Sequence, residues 1–193
     1  MFEEKEESRS IYLTFDDGPH SKFTPRVLDV LRCQGLKATF FVVGSKLKVG
    51  PLAELVALAA SDGHTVGNHT FSHPDLTTCS EGRIREEIGA TRLRLQALGI
   101  RPTVFRPPYG KSNRRVNEIA RELGYEVVLW DNDPHDWKST CGRENEWVAN
   151  AVEFVDQNDA RIILCHDTHR RTADHLDSLI EALLRRDFTF SSL

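Results

Sequence analysis

Short, uninterrupted apolar runs alternate along this chain with longer stretches of helical periodicity. Ile11–Phe15, Ala38–Val43, Val127–Trp130 and Arg161–Cys165 read as strands, with Thr65–Gly67, Val104–Arg106 and Phe188–Phe190 as weaker ones. Helix signals fill the gaps. Thr24 is placed as an N-cap with Pro25 at the first helical position, and Gly35 ends that helix. Ser80 caps a long helix that closes at Gly99, and Asn113 caps another that closes at Gly124. Further helices are expected over Pro51–Ser61, Glu144–Val155 and Asp174–Arg186. The run Ala38-Thr39-Phe40-Phe41-Val42-Val43 suits a strand covered on both faces, as in a parallel sheet. Repeated strand–helix alternation with about seven strands predicts an α/β fold, either a closed or nearly closed barrel or an open doubly wound sheet.

The length of 193 residues suits one compact domain over residues 10–193, preceded by a loose polar segment over 1–9. A net charge of −4 with no basic stretch argues against a nucleic-acid partner. No apolar run reaches the length of a membrane span. Residues Met1 to Ser10 lack the apolar centre of a secretory signal. Cys33, Cys79, Cys141 and Cys165 form no CxxC pair, so a thiolate metal site is not expected and the thiols are read as reduced. These features together give the expectation of a cytoplasmic protein.

Polar clusters follow the predicted strands. Asp16-Asp17-Gly18-Pro19-His20 follows the first, Asn68 to His73 the third, Arg106 to Gly110 the fourth, Asp131 to Trp137 the fifth and His166-Asp167 the sixth. In a parallel barrel these positions share the carboxyl face, where active sites sit. His69 and His73, followed at once by Pro74, can present two imidazoles from a tight turn, and Asp17 is the natural third ligand of a divalent metal with an open position. Alone, the histidine pair could be surface or capping residues and the Asp-Asp pair an ordinary turn. With Asp17 on the metal, Asp16 can act as a base oriented by Arg106. His166 is suited to be a general acid toward a leaving amine, with Asp136 raising its pKa. Trp137 and Leu164 could wall a small apolar pocket fit for an acetyl methyl, or simply pack in the core.

Thr14-Phe15-Asp16-Asp17-Gly18-Pro19, His69-Thr70-Phe71-Ser72-His73, Arg106-Pro107-Pro108-Tyr109, Asp133-Pro134-His135-Asp136-Trp137 and Leu164-Cys165-His166-Asp167 resemble the five ordered motifs of the polysaccharide deacetylase family. This is carbohydrate esterase family four, the NodB-homology domain, and the resemblance runs from about Ser10 to Phe190. It implies a distorted (β/α)7 barrel and metal-dependent hydrolysis of an acetyl group. It implies one divalent ion, zinc with cobalt able to substitute, on Asp17, His69 and His73. Asp16 would be the base beside Arg106, and His166 the acid beside Asp136. The Tyr109 N–H would help hold the oxyanion, and Trp137 and Leu164 would line the acetate pocket. Cys165 departs from the family pattern, which has an apolar residue there.

The stretches around Asp16 and from Asn68 to Leu76 look most like the nodulation-type chitooligosaccharide deacetylases. That likeness implies removal of N-acetyl groups from short chitin-type oligosaccharides with release of acetate, and an N-acetylglucosamine-containing oligosaccharide as partner. O-deacetylation of acetylxylan and deacetylation of peptidoglycan N-acetylglucosamine are the alternatives. A sugar-binding protein without catalysis would be expected to lack the base or a metal ligand, and here both are present. Cys141–Trp147 and His169–Asp174 match no pattern.

Overall fold

The structure, a computed structural model, describes residues 9–138, 145–158 and 160–193. The loose segment expected over 1–9 lies outside the described residues apart from Arg9, as do Cys141 and the expected helix start at Glu144. The strands are β1 (Ser10–Gly18), β2 (Thr39–Val42), β3 (Thr65–Asn68), β4 (Val104–Phe105), β5 (Glu126–Val127), β6 (Ile162–His166) and β7 (Thr189–Ser191). The helices are α1 (Thr24–Cys33), α2 (Pro51–Ser61), α3 (Glu81–Ala97), α4 (Arg114–Glu122), α5 (Glu146–Gln157) and α6 (Arg170–Leu184). No helix among the described residues is long and apolar enough to cross a membrane.

All the strand pairings are parallel, in the order β5-β4-β3-β2-β1-β6, with β7 beside the start of β1. The two ends of this sheet meet just after β5. There the N–H groups of Asp131 and Asn132 donate to the Ile162 carbonyl at 3.0 and 3.1 Å, and Leu164 N–H donates to the Asn132 carbonyl at 2.9 Å. The result is a distorted (β/α)7 barrel, not the open sheet.

Strand alternation sorts the side chains into two populations. Phe15, Phe40, Val66, Ile163 and Cys165 face outward and pack with Leu28, Leu31, Val56, Ala151, Leu176 and Ile180 of the surrounding helices. Phe105 packs outward into a second cluster with Ile84, Ile88, Val116 and Ile119. Phe41, Val104 and Val128 form a small inward-facing cluster. Gly67 makes room for it, because a Cβ at that position would lie 2.6 Å from the Phe41 ring and 3.0 Å from Val104.

Three expectations are corrected. The fifth strand ends at Val127 instead of Trp130, because the Val128 and Leu129 carbonyls accept from the Arg106 guanidinium at 3.1 and 2.8 Å instead of from a neighbouring strand. Thr24 is not the N-cap of α1, which is Phe23; Thr24 is the first helical residue, and its hydroxyl is engaged elsewhere. Helix α6 starts at Arg170, one turn before Asp174, which places buried Thr172 and Ala173 on its inner face. Ser80 and Asn113 do cap α3 and α4, accepting from Arg83 N–H at 3.3 Å and Val116 N–H at 3.0 Å.

Gly67→Ala tests the packing of the barrel interior. Overpacking a close-packed core typically costs about 1–3 kcal/mol, and urea unfolding of both proteins should show a loss of that order. Unchanged stability would mean that the interior has slack which the Phe41 and Val104 contacts do not indicate.

Candidate active site

The carboxyl ends of β1, β3, β4 and β6 open into one pocket of about 500 Å³ lined by Asp16, Asp17, His69, His73, Tyr109 and Trp130 on one part of its wall. Asp133, Trp137, Leu164, His166 and His169 complete it. A larger open groove of about 940 Å³ lies along α5 and α6, lined by residues such as Val148, Glu153 and Arg186, and contains none of these groups.

Asp17, His69 and His73 come together as a set of candidate metal ligands. His73 Nε2 lies 3.0 Å from Asp17 Oδ1, His69 Nε2 lies 3.5 Å from the same oxygen, and the two Nε2 atoms are 3.2 Å apart. A tetrahedral shell with bonds of about 2.0–2.1 Å puts its ligand atoms roughly 3.3 Å apart, so the donor set fits a small divalent ion. The His69 Nδ1–H donates to the Arg106 carbonyl at 2.7 Å, which leaves the Nε2 lone pair facing the other two ligands. Burial pushes the Asp17 carboxyl up, but hydrogen bonds and charge from His69 and His73 outweigh it and hold the group well below the usual carboxylate range.

Among the described residues, the turn between the two histidines has no ladder partner on its amide side. Asn68 Oδ1 accepts from Thr70 N–H at 2.9 Å, and Thr70 Oγ1 accepts from His73 N–H at 3.1 Å. Thr70 and His73 are held at φ of 65° and 60°, and Asp17, Tyr109 and His135 also have positive φ. Such conformations are costly for non-glycine residues and persist where surrounding contacts over-determine them.

Asp16 is 3% exposed and Arg106 is fully buried. Arg106 Nη1 donates to Asp16 Oδ1 and to Thr14 Oγ1, each at 2.8 Å, and Asp16 Oδ2 lies 3.7 Å from His69 Nε2. One carboxylate oxygen is thus tied to arginine while the other faces the ligand set. Asp16 and His166 are neighbours in the β1–β6 register. His166 Nδ1 donates to Asp136 Oδ1 at 2.8 Å, and Asp136 Oδ2 accepts from His166 N–H at 2.7 Å and Thr172 Oγ1 at 2.5 Å. Burial pushes the His166 imidazole down, but the Asp136 hydrogen bond and the charges of Asp136, Asp16 and Asp17 raise it to about 9. Its Nε2 edge is left for the pocket.

Trp137 is half exposed at the rim and Leu164 is buried in the pocket wall. Cys165 points the other way, into the helix-facing core, so its departure from the family pattern does not alter the pocket lining. Tyr109 sits on the rim with its ring edge-on to His73 at 4.6 Å between centroids. His169, a pocket residue without an assigned pattern, stands edge-on to His166 at 5.6 Å. Sequence reasoning gave no role to the supporting residues Asn68, Thr172 and Asp167. Asp167 accepts from Thr24 Oγ1 at 2.5 Å, and Thr24 Oγ1 in turn accepts from His20 N–H at 2.8 Å. Burial raises the Asp167 carboxyl to about 7 despite the Thr24 bond. Its only advance signal was the position next to His166.

The model of the family described as polysaccharide deacetylase matches residues 3–128. The peptidoglycan-N-acetylglucosamine deacetylase PgdA of Listeria monocytogenes is 37% identical over 96% of this chain, which spans 38% of that protein. The peptidoglycan-N-acetylmuramic acid deacetylase PdaC of Bacillus subtilis is 39% identical over 90% of this chain, which spans 35% of it. Among solved structures, the Bc1960 peptidoglycan N-acetylglucosamine deacetylase bound to an N-hydroxy benzamide superposes with a TM-score of 0.87 at 33% identity, covering 96% of this chain and 86% of that one.

The raised His166 group sets a titration test. Its folded pKa lies above the ordinary value near 6.5, so the stability it contributes is complete below about pH 6.5 and is lost as pH rises through about 9. In metal-free protein, the His166 ring should titrate near pH 9 by NMR, and Asp136→Asn should move its midpoint clearly downward. An unmoved midpoint would remove Asp136 as the cause.

Proposed function

The chain belongs to the polysaccharide deacetylase family, and on that premise we propose that it hydrolyses the N-acetyl group of N-acetylglucosamine-type sugars in a glycan chain, with peptidoglycan as the first candidate. The observation that carries this reading is the meeting, in one pocket, of a carboxylate held by arginine, an imidazole held by carboxylate and an Asp-His-His ligand set. Asp17, His69 and His73 would hold a divalent ion, for which zinc suits the two-imidazole, one-carboxylate set. When bound, that ion supplies Lewis acidity, polarising a carbonyl and acidifying water.

The protein's own groups do the rest. Asp16 keeps Oδ1 on Arg106 and offers Oδ2 to the proton of an attacking water. Arg106 also restrains the carboxylate from turning away. The Tyr109 N–H, in a residue that lines the pocket, would donate to the developing oxyanion. His166 carries its proton on Nε2 and passes it to the departing sugar amine, while Asp136 stabilises the imidazolium. Leu164 and Trp137 offer an apolar wall to the acetyl methyl. The products are acetate and a free amino sugar.

Peptidoglycan is placed ahead of the short chitin oligomers expected from the sequence because PgdA and PdaC, two relatives that match nine-tenths or more of the chain, are named for peptidoglycan sugars. The chain spans little more than a third of those two relatives, so the substrate is argued for this catalytic unit.

The deciding experiment is an acetate-release panel of peptidoglycan, chitin oligomers and acetylated xylan at matched acetyl content, with added metal and after chelation. Peptidoglycan should give the fastest release and chelation should abolish it. A clear preference for acetylxylan, or full activity after chelation, would overturn the reading. Replacing His166 by Ala tests the acid. General-acid help is typically worth about 10²–10⁴-fold. The variant should lose on the order of that factor on the amide and far less on an activated aryl acetate, whose phenolate leaves unaided. Equal losses on both would assign His166 an organising role instead.

A further inference from the structure

Glu87 lies on α3, outside the pocket, and only 1% of it is exposed. A buried carboxylate on a helix is expensive unless it is fully partnered. Apart from Arg83 on its own helix, the partners of its side chain belong to one place. Oε2 accepts from the backbone N–H of Phe71 at 2.8 Å and of Ser72 at 2.7 Å, and Oε1 accepts from Ser72 Oγ at 2.6 Å. Arg83, one turn earlier on the same helix, closes the cluster with Nη2 at 2.5 Å from Oε1. Phe71 and Ser72 are residues of the turn that separates His69 from His73.

With Asn68 and Thr70 serving the amides of Thr70 and His73, Glu87 completes the set: the four successive N–H groups from Thr70 to His73 all end on side-chain oxygens. On the opposite side of the turn, the carbonyls of Thr70 and Phe71 accept from Gly44 and Ser45 N–H at 2.9 and 2.8 Å. His69 is anchored by strand β3 and by its Nδ1 bond to the Arg106 carbonyl. His73 has no such strand, so its place relative to His69 depends on the path of the turn.

We propose that Glu87 is a positioning residue for the metal site, clamping the Phe71–Ser72 backbone from α3 and thereby setting the distance between the His69 and His73 nitrogens. This rests on the metal-site reading above. The clamp acts through acceptor reach, since one oxygen takes both backbone N–H groups. A glutamine keeps that oxygen at the same distance, whereas an aspartate keeps the charge but falls one methylene short.

The test measures zinc affinity by competition with a chromophoric chelator, together with the visible spectrum of the cobalt-loaded protein. Wild type, Glu87→Ala, Glu87→Gln and Glu87→Asp are compared, each first checked for a cooperative thermal melt. Loss of an outer-shell partner typically costs about 10–100-fold in metal affinity. Glu87→Ala and Glu87→Asp should lose affinity on that scale and shift the cobalt spectrum, and Glu87→Gln should restore most of both. A folded Glu87→Ala with wild-type affinity and spectrum overturns the proposal. If Glu87→Ala does not fold, the other two decide: Asp as good as or better than Gln overturns it, and Gln clearly better upholds it. Wild type that binds no metal would fail the metal-site reading itself, whereas wild-type binding unaffected by any variant fails only the clamp.

Discussion

A single charge inside the barrel organises the catalytic end of the molecule. Arg106 is fully buried, and its guanidinium stays protonated in any protein environment, so every N–H it carries needs an acceptor. The partners are the Asp16 carboxylate, the Thr14 hydroxyl and the carbonyls of Val128 and Leu129. Its plane lies over the Phe41 ring at 4.1 Å, above the small apolar cluster that fills the barrel beneath. Through these contacts one side chain joins β1, β4 and the segment after β5. It also fixes which oxygen of Asp16 faces the pocket. The Arg106 backbone takes part as well, since its carbonyl receives His69 Nδ1–H. Asp16, His69 and the end of β5 are therefore coupled to one desolvated cation.

A second charge pair, Asp136 with His166, meets the same pocket through the imidazole. The two pairs are opposite in sense. In one, a buried cation holds a carboxylate that faces the pocket; in the other, a buried carboxylate holds an imidazolium that faces it. The register of β1 and β6 thus sets the Asp16 carboxylate and the His166 imidazole side by side. The fold supplies the proximity, and the buried partners hold each group in its orientation.

In the loops between these pairs, side-chain oxygens take much of the backbone N–H capacity. Asn68, Thr70 and Glu87 take the amides of the His69–His73 turn, and Asp133 Oδ1 accepts from His135 N–H at 2.9 Å. Such bonds hold Thr70, His73 and His135 in left-handed backbone conformations that regular structure would not allow. The consequence is a rim held by side-chain hydrogen bonds on a barrel whose strands near it are only two to five residues long, β1 apart.

The sequence by itself determined the alternation of strands and helices and the placement of the polar clusters at strand ends. Both follow from local periodicity: apolar runs mark the strands, and the first polar residues after them must lie on the carboxyl face. That is why Asp16, Asp17, His69, His73, Arg106, Asp136 and His166 could be named in advance as one constellation. The supporting contacts were not legible, because their partners are far apart in the chain and ordinary in composition. Glu87 looks like any helical acid until α3 is laid against residues 71–72, and Thr24 looks like a helix cap until β6 brings Asp167 to its hydroxyl. The early end of β5 is of the same kind, since it depends on a guanidinium from another strand claiming the carbonyls of residues 128 and 129. Periodicity is a property of neighbouring residues. Satisfying a buried donor or acceptor is a property of whatever the fold brings within 3 Å or so of it, and only the tertiary structure decides that.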